Sequence, residues 1–178
     1  RAVLHDSTTH VPLLITGGAL PESLRGQRSE ALVDALDIVP TLMAMAGTVA
    51  PARAHGRDLW SPMKEGRPIE DHAVLQQGVL GQTSLRTATH RLTFRGLSLT
   101  DPIYLKTLRT APLHAKHFAL FELSSDPEEQ HNIVLSAPAV AAQLRTQMVQ
   151  RISTLRPSRA RGTISPEALQ MLRSRGYW

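Results

Sequence analysis

Hydrophobic positions in the first part of the chain form one continuous run and one helical stripe. The run VPLLITGG, from Val11 to Gly18, has the length and apolar character of a strand buried on both faces of an α/β sheet. From Asp37 to Gly47 apolar residues recur at helical spacing, with Pro40 in the first turn and Gly47 at the end. These patterns predict a strand, then a helix that has Asp37 as its N-cap and packs on the sheet.

The second part of the chain consists of short apolar segments separated by turns, which is typical of an antiparallel sheet. Thr89-His90 lies where a hairpin turn is expected, and SSDPEE offers Ser125 or Asp126 as a helix cap. The expected strands are residues 73–77, 84–89, 91–95 and 118–123.

Helices are predicted to complete this second part. Ser136 caps a helix whose apolar stripe repeats every three or four residues, at Val140, Leu144, Met148, Ile152 and Leu155. A short last helix is expected from Ser165 to Gly176. The predicted fold class is α/β with an α+β C-terminal part: residues 1–66 end an α/β layer, and residues 67–178 form a small antiparallel sheet with a packed helix.

The amino-acid composition excludes several kinds of site and partner. The 178 residues contain no cysteine, which excludes disulfides, Cys-ligated zinc and a cysteine nucleophile within this segment. No apolar stretch has the length of a membrane span, so no membrane partner is expected. The net charge of +5 indicates a solvated basic surface or attraction for polyanions. Few aromatic residues lie between the late arginines, so we expect no specific nucleic-acid partner.

Several segments, taken in order, resemble the sulfatase family of the alkaline-phosphatase superfamily. The resemblance covers nearly the whole chain. Within the family, the chain is most similar to N-sulfoglucosamine sulfohydrolases and their bacterial relatives. The matching segments are RAVLHDSTTHVPLLI, VDALDIVPTLMAMAG with HGRDLWSPMKEG, FALFELSSDPEEQHNIV and SPEALQMLRSRGYW.

The resemblance implies hydrolysis of a sulfate ester or sulfamate, with a sulfated small molecule or glycan as substrate. In the family, a formylglycine made from the first residue of C/S-x-P-x-R attacks sulfur, and a calcium ion polarises the sulfate oxygens. The nearest imitation, residues 155–159, has Leu155 at the reactive position. We therefore expect both cofactors in the intact parent, no metal ligand in this segment, and an inactive segment when it stands alone.

The same resemblance suggests where substrate binds. Arg1 falls where relatives carry a basic residue that contacts sulfate, and an arginine fork suits a tetrahedral oxyanion. His10, Arg86 and His90 are expected to border the substrate cleft, although each has an ordinary structural interpretation. Asp126, Glu128, Glu129 and Asn132 match a motif that fixes the turn after the last strand, and no chemistry is assigned to them.

Alternative functions follow from the same features. One is a phosphoesterase of the same superfamily, and another is a non-catalytic basic module that binds anionic glycans or nucleic acid. Because the strand from Val11 to Ile15 needs neighbouring strands, we also expect dimerisation through an exposed sheet edge. The chain opens inside a family motif, so further sequence upstream of Arg1 is expected and no compartment is assigned.

Overall fold

The computed structural model describes residues 4–18, 20–52, 54–78, 81–96 and 102–155, together with residues 170, 171 and 174. The predicted last helix, Ser165 to Gly176, lies largely outside the described residues. Two short 3-10 helices span Glu22–Leu24 and Ala35–Asp37. The α-helices are α1 Asp6–Thr9, α2 Ile38–Met45, α3 Trp60–Lys64, α4 Tyr104–Thr110 and α5 Pro138–Thr154, and the strands are β1 Val74–Gln77, β2 Thr83–Arg86, β3 His90–Phe94 and β4 Phe118–Glu122.

The four strands form one antiparallel sheet in the order β1-β2-β3-β4. Leu85, Leu92 and Leu120 lie side by side across β2, β3 and β4, and all three are fully buried. The sequence prediction of a small antiparallel sheet is therefore confirmed. The hairpin turn lies slightly earlier than predicted, because the Thr87 N–H already bonds the His90 carbonyl at 2.8 Å.

The long helix α5 covers one face of this sheet, as its apolar stripe predicted. The residues on its buried side are Ala141, Leu144, Met148 and Ile152. It begins at Pro138 rather than on a Ser136 cap, and the Ser136 hydroxyl bonds the Ile133 carbonyl instead. A helix packed on an antiparallel sheet is thus the architecture of the second part of the chain.

Helix α4 was not predicted from the sequence. Its N-cap, Ile103, provides no side-chain hydrogen bond. Tyr104 and Leu108 are buried, and the Tyr104 ring meets Phe94 edge-on with centroids 5.7 Å apart. Packing against the sheet, rather than capping, stabilises this helix.

The predicted strand at residues 11–18 is wrong for the chain as described, since these residues form no strand. Val11 is 74% exposed and Leu14 is 83% exposed. A strand is held by hydrogen bonds to a neighbour, and none of the described strands pairs with this segment. Much of the apolar run is therefore left uncovered.

Helix α2 forms where predicted and ends at Gly47, whose φ of 69° is the left-handed conformation of a helix terminator. Asp37 does not cap it by a side-chain bond. Asp37 instead shares a capping box with Asp34 at the start of the preceding 3-10 helix. The predicted packing on a sheet is also wrong here, because Ile38 and Leu42 are 40% and 57% exposed.

A close backbone contact fixes the loop after α2. A Cβ atom added at Gly56 would lie 1.9 Å from the Leu36 carbonyl oxygen, so only glycine fits. Further along, the SSDPEE segment forms turns rather than a helix start. None of the helices within the described residues combines the length and apolar composition that crossing a bilayer requires.

Candidate functional site

Two arginines face each other on neighbouring strands near one end of the sheet. Arg86 on β2 pairs in register with Arg91 on β3, and Arg91 is completely buried. Like charges directly opposite each other on one sheet face are destabilising unless carboxylates lie between or beside them. The fold must therefore bring acidic groups to this point.

Asp6, at the first position of α1, provides the first carboxylate. Its Oδ2 lies 2.8 Å from Arg86 Nη2, and its Oδ1 accepts a bond from Arg91 Nη2. Arg91 also donates to Gln76 Oε1 on β1 at 3.0 Å. Asp6 thus joins the segment before residue 11 to both arginines.

Glu129, after β4, provides the second carboxylate, and its side chain is 1% exposed. Its Oε1 accepts the backbone N–H of Asp6 at 2.7 Å and lies 3.3 Å from Arg91 Nε. Its Oε2 lies 3.0 Å from His5 Nδ1, and the His5 ring packs at a tilt against Phe121. Together, His5, Asp6, Arg86, Arg91 and Glu129 form what is called below the ionic cluster.

The charged groups of the cluster shift one another's pKa values. Burial raises the pKa of Asp6, but the hydrogen bond from Arg86 and the charges of both arginines outweigh it, so this pKa lies below its usual value. Burial is also the largest influence on Arg91 and lowers its pKa, while Glu129 and Asp6 act in the opposite direction. Arginine keeps its proton at any ordinary pH, so Arg91 remains cationic.

A surface cleft opens beside the cluster. One wall is formed by α1 and its flanking residues, and the other by the turn after β4. The lining residues are His5, Asp6, Ser7, His10, Pro127 and Glu128.

The four predicted site residues lie in different places. Arg1 lies outside the described residues. His10 lines the cleft, and Arg86 lies in the ionic cluster, where its guanidinium is already paired with Asp6. His90 precedes Arg91 on β3, so the two side chains point to opposite faces of the sheet, and His90 Nδ1 lies 2.9 Å from Thr89 Oγ1. Their roles toward a substrate remain predictions.

Sequence reasoning did not identify the partnership of Asp6 and Glu129 with Arg91. Glu129 was assigned only to a turn, and Asp6 to no role at all. The available signal was Arg91 itself, because a charged residue within a short apolar strand requires buried partners of opposite charge. Which carboxylates those were depended on contacts between residues far apart in the sequence, such as Arg91 with Asp6.

A second acidic group is a candidate metal site within the described residues. Ligand atoms of Asp34, Asp37 and His72 lie within 4.8 Å of one another. Asp37, however, is paired with the Arg57 guanidinium at 3.3 Å and accepts the Arg57 backbone N–H at 2.7 Å. Calcium requires six to eight oxygen ligands, and a guanidinium already provides the cation here. These residues do not fit the calcium ion that the sulfatase resemblance implies.

Burial is the largest single influence on the pKa of Asp34. It raises the pKa of Asp34, but the hydrogen bonds from His72 and the Leu36 N–H, with the charge of Arg151, bring that pKa below its usual value. The group therefore acts as a tie between three segments of the chain, which contain Asp34 and Asp37, Arg57, and His72. Within the described residues, neither this tie nor the ionic cluster presents an activated nucleophile.

Comparisons with known proteins find similarity to sulfatases. No family model matches the chain. It is 28% identical over 151 residues to arylsulfatase K of Homo sapiens, which covers 79% of this chain, and 26% identical over 141 residues to arylsulfatase K of Xenopus laevis, which covers 76%. The chain spans about a quarter of the length of these relatives, 25% and 24% respectively.

Two solved sulfatases from work on the metabolism of multiple glycosaminoglycans by Bacteroides thetaiotaomicron share the fold. One superposes with a TM-score of 0.53 over 70% of this chain and 26% of its own, at 16% identity. The other has a TM-score of 0.52 over 87% of this chain and 32% of its own, at 17% identity. The chain is therefore similar to arylsulfatase K in sequence and to these two structures in fold.

Proposed function

We propose that this chain is the C-terminal portion of a sulfatase and completes the wall of its substrate cleft. The observation that carries the proposal is the likeness to arylsulfatase K along 79% of the chain. The reaction of the intact protein is hydrolysis of a sulfuric ester. A sulfamate substrate is the narrower alternative, since the first motif and the β2–β3 hairpin resemble N-sulfoglucosamine sulfohydrolases.

The substrate class follows from charge and from the related proteins. The chain carries a net charge of +5, which favours approach of an anionic ligand. The Bacteroides thetaiotaomicron sulfatases of the same fold belong to work on glycosaminoglycan metabolism. A sulfated glycan is therefore the proposed substrate, with His10 at the rim of the cleft and Arg1 in contact with sulfate.

The reactive groups are assigned to other sequence of the same protein. The 178 residues contain no C/S-x-P-x-R motif, and the acidic group at Asp34 does not fit calcium. Formylglycine would supply the nucleophile, and calcium would stabilise the charge on the sulfate oxygens. This segment by itself is therefore expected to be inactive.

The test is a rate comparison on the full-length protein. We expect the protein to hydrolyse an aryl sulfate at least about 100-fold faster than the matching aryl phosphate, because a site built for one anion discriminates against another. Sulfated and N-sulfated glycan oligosaccharides then separate ester from sulfamate cleavage. A preference for phosphate would replace the proposal with the phosphoesterase alternative.

Variants test the assigned binding wall. Arg1→Ala is expected to lower kcat/KM by about 100-fold, because a charge-assisted contact to sulfate is lost, and Arg1→Lys should recover part of it. Arg28→Ala is the matched control, since Arg28 is exposed and pairs only with Glu30 among the described residues. Binding of heparin with no turnover of any ester would favour the non-catalytic basic module instead.

A further inference from the structure

Glu129 has an unusual backbone for its residue type. Its φ is 54°, and it is the one non-glycine residue with positive φ among the described residues. Side chains in this left-handed region crowd their own backbone, so the conformation persists only where surrounding contacts require it. The residue is also 4% exposed, which places a carboxylate inside the fold.

The turn that contains Glu129 is held by other side chains. Asp126 accepts the N–H groups of Gln130 and His131 at 3.0 and 2.8 Å. Asn132 accepts the N–H of Leu120 at 2.9 Å and so ties the turn back to β4. The carboxylate of Glu129 is therefore not needed to close the turn.

The Glu129 carboxylate contacts the opposite wall of the cleft instead. It accepts the Asp6 N–H at 2.7 Å, lies 3.0 Å from His5 Nδ1, and is anchored by Arg91 at 3.3 Å. His5 and Asp6 line the cleft on one side, and Pro127 and Glu128 line it on the other. Glu129 is thus a direct link between the two walls, while its own side chain stays out of the cleft.

We propose that Glu129 is a positioning residue of the substrate cleft: by holding His5 and Asp6 it fixes α1, and α1 sets the distance between His10 and the turn at Pro127. The inference rests on the proposed sulfatase function, because the effect of the positioning is on substrate binding. Its consequence is that loss of the Glu129 charge weakens substrate binding without contact between Glu129 and substrate.

The experiment uses Glu129→Gln in the full-length protein, with an aryl sulfate and a sulfated oligosaccharide as substrates. Glutamine keeps the volume and still accepts the Asp6 N–H, but it leaves Arg91 without one of its two carboxylates. We expect KM to rise about tenfold while kcat stays within about twofold, since a misplaced wall costs binding first. Amide hydrogen exchange at residues 5–10 should accelerate in the same variant.

Glu122→Gln is the matched control, because Glu122 is exposed at the end of β4 and lies outside the ionic cluster. Should Glu129→Gln not fold, His5→Phe replaces it: this variant removes one contact to the carboxylate and retains ring packing against Phe121. It is expected to raise KM and the exchange rate of residues 5–10 by a smaller amount.

The outcomes separate the two proposals. A lower melting temperature with unchanged KM and unchanged exchange at residues 5–10 would overturn the positioning role and leave the sulfatase proposal standing. A wild-type protein that cleaves no sulfate ester would overturn the proposed function and the inference with it.

Discussion

The sheet region and the amino-terminal region of this chain bury their apolar residues very differently. Between β1 and α5, Leu92, Phe118 and Met148 are each 0% exposed. Between residues 11 and 49, by contrast, Leu14 is 83% exposed and Val49 is 90% exposed. The sheet region has closed its core with its own helices, whereas the amino-terminal region has not.

The difference shows how an element depends on the layer against which it packs. Helix α2 forms with its capping box and its glycine terminator, because those signals are local. Its apolar face nevertheless stays open, and an uncovered patch of this kind marks an interaction surface. If the proposed function holds, residues 11–49 are a surface that the rest of a sulfatase core would cover in a longer protein.

The largest effect is expected from Arg91→Ala, in the sheet region. It leaves the Glu129 carboxylate buried without its cation, which costs about 3–5 kcal/mol of unfolding free energy. Urea denaturation of the full-length protein measures this. Arg95→Ala, at an exposed position on the same chain segment, should change stability by less than about 0.5 kcal/mol. Equal costs for the two variants would refute the structural importance of the ionic cluster.

A pair of leucines compares the two regions directly. Leu92→Ala removes a fully buried side chain and should cost about 2–5 kcal/mol in any protein that contains the sheet. Leu42→Ala, at a position 57% exposed, should cost little in the 178-residue chain and about 1.5–3 kcal/mol in the longer protein. Denaturation curves of both variants in both proteins check this. An unchanged cost for Leu42→Ala in the longer protein would contradict the covered surface.

Gly56→Ala tests the backbone contact inside the amino-terminal region. The added methyl group would meet the Leu36 carbonyl oxygen at 1.9 Å, and we expect a loss of about 1–3 kcal/mol from forced backbone movement. Gly78→Ala is the control, since its Cβ would meet only side-chain atoms of Leu4 and Gln82 at ordinary contact distances of 3.5–3.7 Å. Similar melting temperatures for the two variants would show that the loop yields without cost.

The smallest effect concerns acid stability. The pKa values of Asp6 and Asp34 are lowered in the folded chain. Both ionised carboxylates therefore stabilise the fold at pH values above their unfolded pKa of about 4. This contribution is lost as pH falls through the lowered folded values. Asp6→Asn should therefore flatten the decline in stability below about pH 4, and Glu30→Gln should not. A decline of wild-type steepness in Asp6→Asn would be the contrary result.

The sequence predicted those features that depend on local pattern. The four strands follow from short apolar segments between turns, helix α5 follows from helical spacing, and all five appear within a few residues of their expected bounds. Helix α4 was not predicted, and the contact of Tyr104 with Phe94 on the sheet is a long-range one that local pattern does not record. The strand at Val11 was predicted from composition alone, which carries no information about whether a partner strand is present.

The candidate site likewise has features that the sequence predicted and features that it did not. His10 and Arg86 were predicted near a cleft, and the structure brings both close to Asp6. The link between Glu129 and His5 joins residues 124 positions apart, and no periodicity in the sequence records such a pairing. The sulfate contact expected of Arg1 stays a prediction.

The most direct test of the proposed interface is amide hydrogen exchange at Val11–Ile15, compared between the 178-residue chain and the longer protein. If these residues join a sheet provided by the rest of the sulfatase core, their amides exchange rapidly in the chain alone and at least about 100-fold more slowly in the longer protein. Equally rapid exchange in both proteins would contradict the claim that the rest of the core covers this surface.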